Sequence, residues 1–555
     1  MRVGTLATAI KAFAAQFSSS FLSVAIVAIC FTVVACGTRE REVDIAAKNG
    51  ILLMGNGAEP KALDPHLVTG VPENRIISSL MEGLISYHPS NDLEPEPGVA
   101  ERWEHNADFT VWRFQLRENA RWSNGEPVTA GDFVYSWQRI LSPALGAEYA
   151  SMLYVIRNAE AFHQGQINDF SQVGVRALNP RTLEVTLAGP TPYFLNMLKH
   201  YSFFPVNPRV VERFGGMTNR QNSWSTAENY VGNGPFRLTQ WTTNQVIKVA
   251  KSPTYWDAAR VRLNEIHFFP IENVRTEETA FLAGRLHLTS TVSPDRIPTF
   301  QRENAEQLKI DPYLGLYFFR INVTREPFND PRVREALNLA IDRRMLVERV
   351  TQGGQAPASG IVPPGLQNYP ASQQVQFNLQ RARQLLAEAG FPGGRGFPRK
   401  EILINTSEAH RKIAEAIQAM WRENLGIDVG IYNQEWKVYL DSQSQLNYDL
   451  SRAGWIADYA YPMTFLEIFT TGNGNNDTGW SNAQYDALIQ QARTASTEPQ
   501  RMQLMQQAER LLLTELPVIP IYWYTRIYLK DPRVQGWNPT LLDNRPYKYV
   551  SISSG

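Results

Sequence analysis

The stretch "EILINTSEAHRKIAEAIQAMWRENLGIDVGI", residues 401–431, changes its hydrophobic period twice. After a short apolar run it places Ile413, Ile417, Trp421 and Leu425 at helical spacing. It then alternates Ile427, Val429 and Ile431 as a strand does. Strand, helix and strand in that order make a βαβ unit, which predicts part of a parallel sheet.

The flanking segments extend this pattern. "NLQRARQLLAEAGFP" (378–392) predicts a helix with Asn378 as its cap, an apolar face of Leu379, Ala382, Leu385, Leu386 and Ala389, and a stop at Gly390. "NDPRVREALNLAIDRRMLVERVTQGG" (329–354) predicts a helix with Asp330 at its cap and Pro331 at its first position, ending near Gly353. Residues 51–310 read differently, mostly as short strands between turns. "TLEVTLAGP" (182–190) alternates, and "NGEP" (124–127) and "GNGP" (232–235) are turn signals. A β-rich first half and an α/β second half predict lobes, with a ligand site between them beyond the carboxyl ends of strands.

Downstream lies "RAGWIADYAYP" (452–462), where Asp458 sits in an apolar run with Arg452 six positions before it. Carboxylates are rarely buried without a partner. Read as a strand, Leu450, Arg452, Gly454, Ile456 and Asp458 share one face and Trp455 takes the other. Arg452 and Asp458 would lie about 20 Å apart along the strand, too far to pair. That spacing suits an extended zwitterion such as a short peptide, its ammonium at Asp458 and its carboxylate toward Arg452. It equally suits an Asp458 that caps a turn before Pro462 and a solvated Arg452.

The chain has 555 residues, and its 54 basic and 54 acidic side chains balance. No basic block points to nucleic acid. The aromatic content of 11% argues for a large folded protein, with two to four domains expected for this length. Arg2 and Lys11 precede a run, Phe21 to Ala35, that carries no charge, and Cys36 and Gly37 follow. This is the pattern of a secretory signal peptide. "VVAC" resembles the lipobox of bacterial lipoproteins, so residues 1–35 are read as signal and Cys36 as the lipid-bearing residue. The polar stretch 37–50 would serve as a tether. No H-E-x-x-H, G-x-S-x-G or P-loop pattern occurs, and the eight histidines are spread without a local metal pair. No catalytic residue, metal or cofactor is assigned.

Ordered motifs then run along the chain: "LDPH" (63–66), "MEGLISY" (81–87), "PEPGVAERWE" (95–104) and "WRFQLRENARWSNGEPVTAGDFVYSWQR" (112–139). "PYLGLYFFRIN" (312–322), "PFNDPRVREALNLAIDR" (327–343), "LLAEAGF" (385–391), "NQEWKVYLD" (433–441) and "RAGWIADY" (452–459) follow. Together they resemble the periplasmic dipeptide/oligopeptide-binding family, the ligand-capturing subunits of ABC importers. The resemblance implies a two-lobed α/β fold with mixed sheets and an inserted domain. Lobe I would combine residues 51–81, 208–314 and 526–555, the insertion 82–207, and lobe II 315–525. It implies a monomer that takes a short peptide between closing lobes and passes it to a membrane permease. The expected place is the periplasm or cell surface, anchored by lipid.

Residue by residue, the resemblance assigns Asp458 to the peptide's α-ammonium, and Arg452 and His410 to the surroundings of its carboxylate. Trp436, Trp455 and Tyr149 match aromatic positions lining the cleft, although packing between lobes is an equally physical role for them. Gly454–Ile456 and Gly70–Pro72, which include Val71, match backbone that runs beside the ligand. The chain departs from the family's pattern at Thr69, Thr351 and Gln443, where one acidic and two basic side chains are expected. A narrower range of ligand length follows. Muropeptide binding is the alternative reading, as is a chaperone or sensor lipoprotein without a transporter. A periplasmic peptidase lacks any visible catalytic constellation.

Overall fold

The computed structural model describes residues 40–366 and 368–554. The signal-peptide and Cys36 lipidation readings therefore lie outside the described residues. Within the expected tether, Glu42–Lys48 forms a helix that buries Val43, Ala46 and Ala47.

The predicted βαβ unit is present. Strand Lys400–Asn405 pairs in parallel with Val429–Gln434, and the helix Glu408–Leu425 connects them. Ile402, Leu403 and Ile404 are all fully buried, as expected of a strand covered on both faces. The helix starts at Ser407, whose side chain accepts from the His410 backbone N–H, and stops at Gly426, in the left-handed region at φ +71°. Its face of Ile413, Ile417, Trp421 and Leu425 is buried. Each such side chain contributes roughly 1.5–3 kcal/mol relative to exposure.

These strands belong to a six-stranded mixed sheet in the order Ala356–Pro357, Val518–Leu529, Leu308–Ile321, Leu450–Ile456, Lys400–Asn405 and Val429–Gln434. Two of its strands are long, 14 residues for Leu308–Ile321 and 12 for Val518–Leu529. They pair antiparallel, but the register breaks between Pro312 and Leu316. A four-stranded sheet of Ile51–Gly55, Glu265–Phe269, Val246–Lys251 and Phe236–Thr242 makes a second body. An antiparallel sheet of Ala100–His105, Val111–Leu116, Thr182–Thr186 and Val175–Asn179 is inserted in sequence before the second of these bodies is completed. The result is a two-lobed α/β fold with mixed sheets and an additional inserted domain.

Two expectations need correction. The segment after Pro331 is two helical pieces: Pro331–Leu339 ends, and Asp342 caps a new start at Arg343 by accepting from the Met345 N–H. Its apolar pattern runs through the break because both pieces face one core. The first half also contains substantial helices, among them Val71–Leu80 and Ala130–Leu141. The latter begins with a reciprocal cap between Thr129 and Asp132.

The "LDPH" motif has a structural role. Asp64, buried, takes two hydrogen bonds from the fully buried Arg139 guanidinium, at 2.9 and 2.5 Å, and a third from the Trp224 indole at 3.2 Å. His66 accepts from Arg139 at Nδ1 and meets the Phe204 carbonyl through Nε2. Burial, with the Arg139 charge beside it, brings its pKa down to about 3. This network ties the chain near residue 64 to the inserted domain.

Candidate ligand-binding cleft

Strand Leu450–Ile456 is an interior strand with one incomplete edge. Its whole length pairs with Leu308–Ile321, from Leu450 opposite Ile321 to Ile456 opposite Gly315. On the other side it meets Lys400–Asn405 only at Leu450 and Ser451. The Ala457 N–H bonds to the Leu314 carbonyl, so the odd-numbered residues face the paired side. Gly454 and Ile456 therefore direct their backbone groups to the unpaired side. The Arg452 carbonyl, in the same register, is taken by the Tyr439 hydroxyl and the Gln443 amide. The edge opens into a cleft of about 370 Å³ between the two lobes.

Asp458 lies at one end of that edge, just beyond the strand rather than within it, and is 8% exposed. Its Oδ1 accepts from the Tyr149 hydroxyl at 2.9 Å and lies 3.3 Å from His200 Nε2. Thr464 donates to Oδ2 at 3.3 Å and accepts from the Asp458 N–H at 3.1 Å. Among the described residues no backbone N–H donates to the Asp458 carboxylate, so it does not cap the turn before Pro462; the Thr464 hydroxyl closes that turn instead. A carboxylate has about four acceptor directions, and these three donors leave room for another. Burial and the Asp458 charge push the Tyr149 hydroxyl well above its ordinary pKa, so it stays a donor.

Sequence reasoning missed His200. The Ser202 N–H bonds to its Nδ1, which leaves the proton on Nε2, aimed at Asp458. The ring lies 4.8 Å from Tyr149 and 4.0 Å from Tyr201. No local motif marks it, because its position depends on the inserted domain.

Arg452 lies toward the other end. Its guanidinium donates to Tyr524 Oη at 2.9 Å and Asn405 Oδ1 at 3.2 Å, and lies 5.0 Å from the Tyr317 ring centre. Among the described residues no carboxylate pairs with it, and its Nε is buried without a partner. His410, in the first turn of the helix Glu408–Leu425, lines the same region, with Nδ1 3.5 Å from Tyr317 Oη. Burial and the neighbouring Arg452 charge hold it well below the usual histidine pKa. Its ring is therefore neutral at pH 7 while the cleft is empty.

The remaining expected residues also reach the cleft. Trp455 is buried against Tyr149, with ring centres 6.1 Å apart and its indole N–H unpartnered. Trp436 stacks on Tyr439 and donates across the cleft to Glu73 at 3.4 Å. Val71 begins the helix that carries Glu73. A side chain at Gly454 would place its Cβ 2.6 Å from the Tyr524 hydroxyl, so glycine keeps this wall flat. Thr69 and Gln443 line the cleft; Thr351 is buried away from it, against Gln355.

Several contacts tie the walls together. Lys61 pairs with Asp441 at 2.7 Å. At the rim, Arg275 and Asp295 pair on one side and Glu408 and Lys412 on the other. Cross-pairs join Arg275 to Glu408 at 3.4 Å and Lys412 to Asp295 at 2.8 Å.

The periplasmic oligopeptide-binding protein OppA of Salmonella typhimurium is 38% identical over 497 residues, 88% of this chain and 89% of its own. The crystal structure of Haemophilus influenzae OppA in complex with RPPGFSPFR has a TM-score of 0.86 at 33% identity, covering 91% and 99% of the two chains. The Escherichia coli murein tripeptide binding protein MppA has a TM-score of 0.85 at 35% identity, covering 90% and 98%. MppA in an unliganded open form falls to 0.61 at the same identity, covering 91% and 98%. Equal identity with lower similarity is a difference of lobe arrangement, so the present lobes do not stand in that open arrangement. The model of bacterial extracellular solute-binding proteins, family 5, matches residues 94–477, and the chain belongs to that family.

Proposed function

We propose that the protein captures short peptides with a free amino end and delivers them to an ABC importer. One observation carries this reading: a buried carboxylate, Asp458, and a half-buried cation, Arg452, that no carboxylate among the described residues pairs with, flank an unpaired strand edge in one cleft. A zwitterionic, extended ligand compensates both charges and completes the edge through Gly454 and Ile456. His410 donates or accepts beside its carboxylate, Tyr149 and His200 hold Asp458, and Trp436, Trp455 and Val71 bound the cleft. We assign lobe I to residues 51–81, 208–314 and 526–555, the insertion to 82–207 and lobe II to 315–525. The hinge then falls where Leu308–Ile321 and Val518–Leu529 lose register. Tighter binding to the closed form supplies the signal a permease reads. In this reading the protein works as a monomer outside the cytoplasm, held by lipid on Cys36.

Native mass spectrometry of the purified protein, followed by denaturing release, tests this. Peptides with free amino ends, absent from Asp458→Ala, are expected; a cleft that ignores added peptides would overturn the reading. The likeness to MppA supports a second reading, a peptide-like cell-wall fragment, and release of such a fragment would favour it.

A further inference from the structure

Behind the helix Val71–Leu80 lies a second cavity, of about 60 Å³, that shares Asn74, Arg75, Tyr87, Asp543 and Asn544 with the cleft. A water-sized group needs roughly 10–15 Å³, so about four such groups fit. The CH2–CO2⁻ end of an acidic side chain has that many heavy atoms.

Its charges do not balance. Arg75, Lys199, Arg545 and Lys548 line it against Glu82 and Asp543. Lys548 pairs with Glu82 at 3.3 Å, and Arg545 with Asp543 and Asp311. Lys199 is buried and, among the described residues, donates to the backbone carbonyls of Asp92 and Glu94 and to no carboxylate. Arg75 donates to the Asn56 carbonyl at 3.3 Å, and among the described residues no carboxylate pairs with it. Burial, with the Arg526 charge nearby, lowers its pKa to about 10, as for a cation lacking its counter-ion. The mouth includes Tyr87, whose phenol feels the Asp458 charge, so the cavity opens near the ammonium end of the cleft.

Resting on the peptide-capture reading, we propose that this cavity is an acidic side-chain subsite, in which the Arg75 guanidinium receives the carboxylate of an aspartate or glutamate of the bound peptide. The fork of donors matches a carboxylate. A neutral isostere of the same shape leaves Arg75 unpaired.

Calorimetry with trialanine and with tripeptides carrying one Asp or one Asn at each position tests this on the wild-type protein. At one position Asp is expected to bind about tenfold tighter than Asn. Arg75→Gln should reduce that ratio to within about twofold, and Arg75→Lys should retain part of it. Trialanine binding with equal Asp and Asn affinities at every position overturns the subsite alone. A preference that survives in folded Arg75→Gln does the same. If no peptide binds, including trialanine, the capture reading falls and this one with it.

Discussion

Tyr149 and Asp458, 309 positions apart in the chain, meet at 2.9 Å, with the phenol donating to the carboxylate. The inserted domain thus reaches over the cleft to hold the group that the other lobe offers. Asp458→Asn keeps the shape and removes the charge. Peptides with free amino ends should bind about 10- to 100-fold more weakly to it, the range for charge-assisted hydrogen bonds. Calorimetry checks this, and N-acetylated peptides should bind wild type and variant alike. Equal loss for both ligand types would argue for damage to the fold instead.

At the other end, His410 is neutral when the cleft is empty because burial and Arg452 disfavour its charge. A ligand carboxylate beside it reverses that balance and raises its pKa. Binding then takes up a proton at pH values where the ring of the empty cleft stays neutral, and affinity rises as pH falls. Titrations in buffers of different ionisation enthalpy should detect the uptake. Peptide amides and His410→Gln should show none.

The rim contacts are a separate matter. Arg275, Asp295, Glu408 and Lys412 are each a third or more exposed, so their cross-pairs are worth little individually and are screened by salt. Asp295→Ala should weaken binding about two- to fivefold at low ionic strength and leave it unchanged near roughly 0.5 M salt. An effect insensitive to salt would place Asp295 in a different role.

Glu277 offers a stability test that needs no ligand. It is fully buried, and burial lifts its pKa to about 7 although Ser290 donates to it twice, at 2.9 and 2.6 Å. From pH 4.5 to 7 the unfolded carboxyl ionises while the folded one stays protonated. Its contribution to stability is therefore lost as pH rises through that window. Glu277→Gln should match wild type near pH 4.5 in this respect and gain roughly 3 kcal/mol relative to it by pH 8. Urea unfolding at both pH values measures this; a pH-independent difference would refute it.

Local periodicity carried much of the fold into view. The βαβ unit and the caps at Asp330 and Asn378 follow from patterns within a dozen residues. The break at Asp342 did not, because both helical pieces keep one apolar face through it. Nor did Ala130–Leu141 emerge from a strand-rich neighbourhood, although Thr129 and Asp132 hold its cap. In the cleft, strand geometry set Arg452 and Asp458 apart on one edge, although Asp458 lies just beyond the strand, whereas Tyr149 needed a family resemblance. His200 and Arg75 were not legible at all. Their roles depend on which distant surfaces face them, and a single sequence does not encode that locally.

If the protein captures peptides as proposed, the open edge of Leu450–Ile456 acts as a reading frame. Successive side chains of an extended ligand point to opposite sides, and the edge offers main-chain partners only at Gly454 and Ile456 before Arg452 is occupied by Tyr439 and Gln443. Once the first ammonium is fixed at Asp458, every later residue has its wall assigned. A slip of one residue would exchange all the walls and lose the ammonium contact as well. In the peptide-capture reading phase is thus set by two open backbone steps, at Gly454 and Ile456, and one carboxylate, whatever letters the ligand spells.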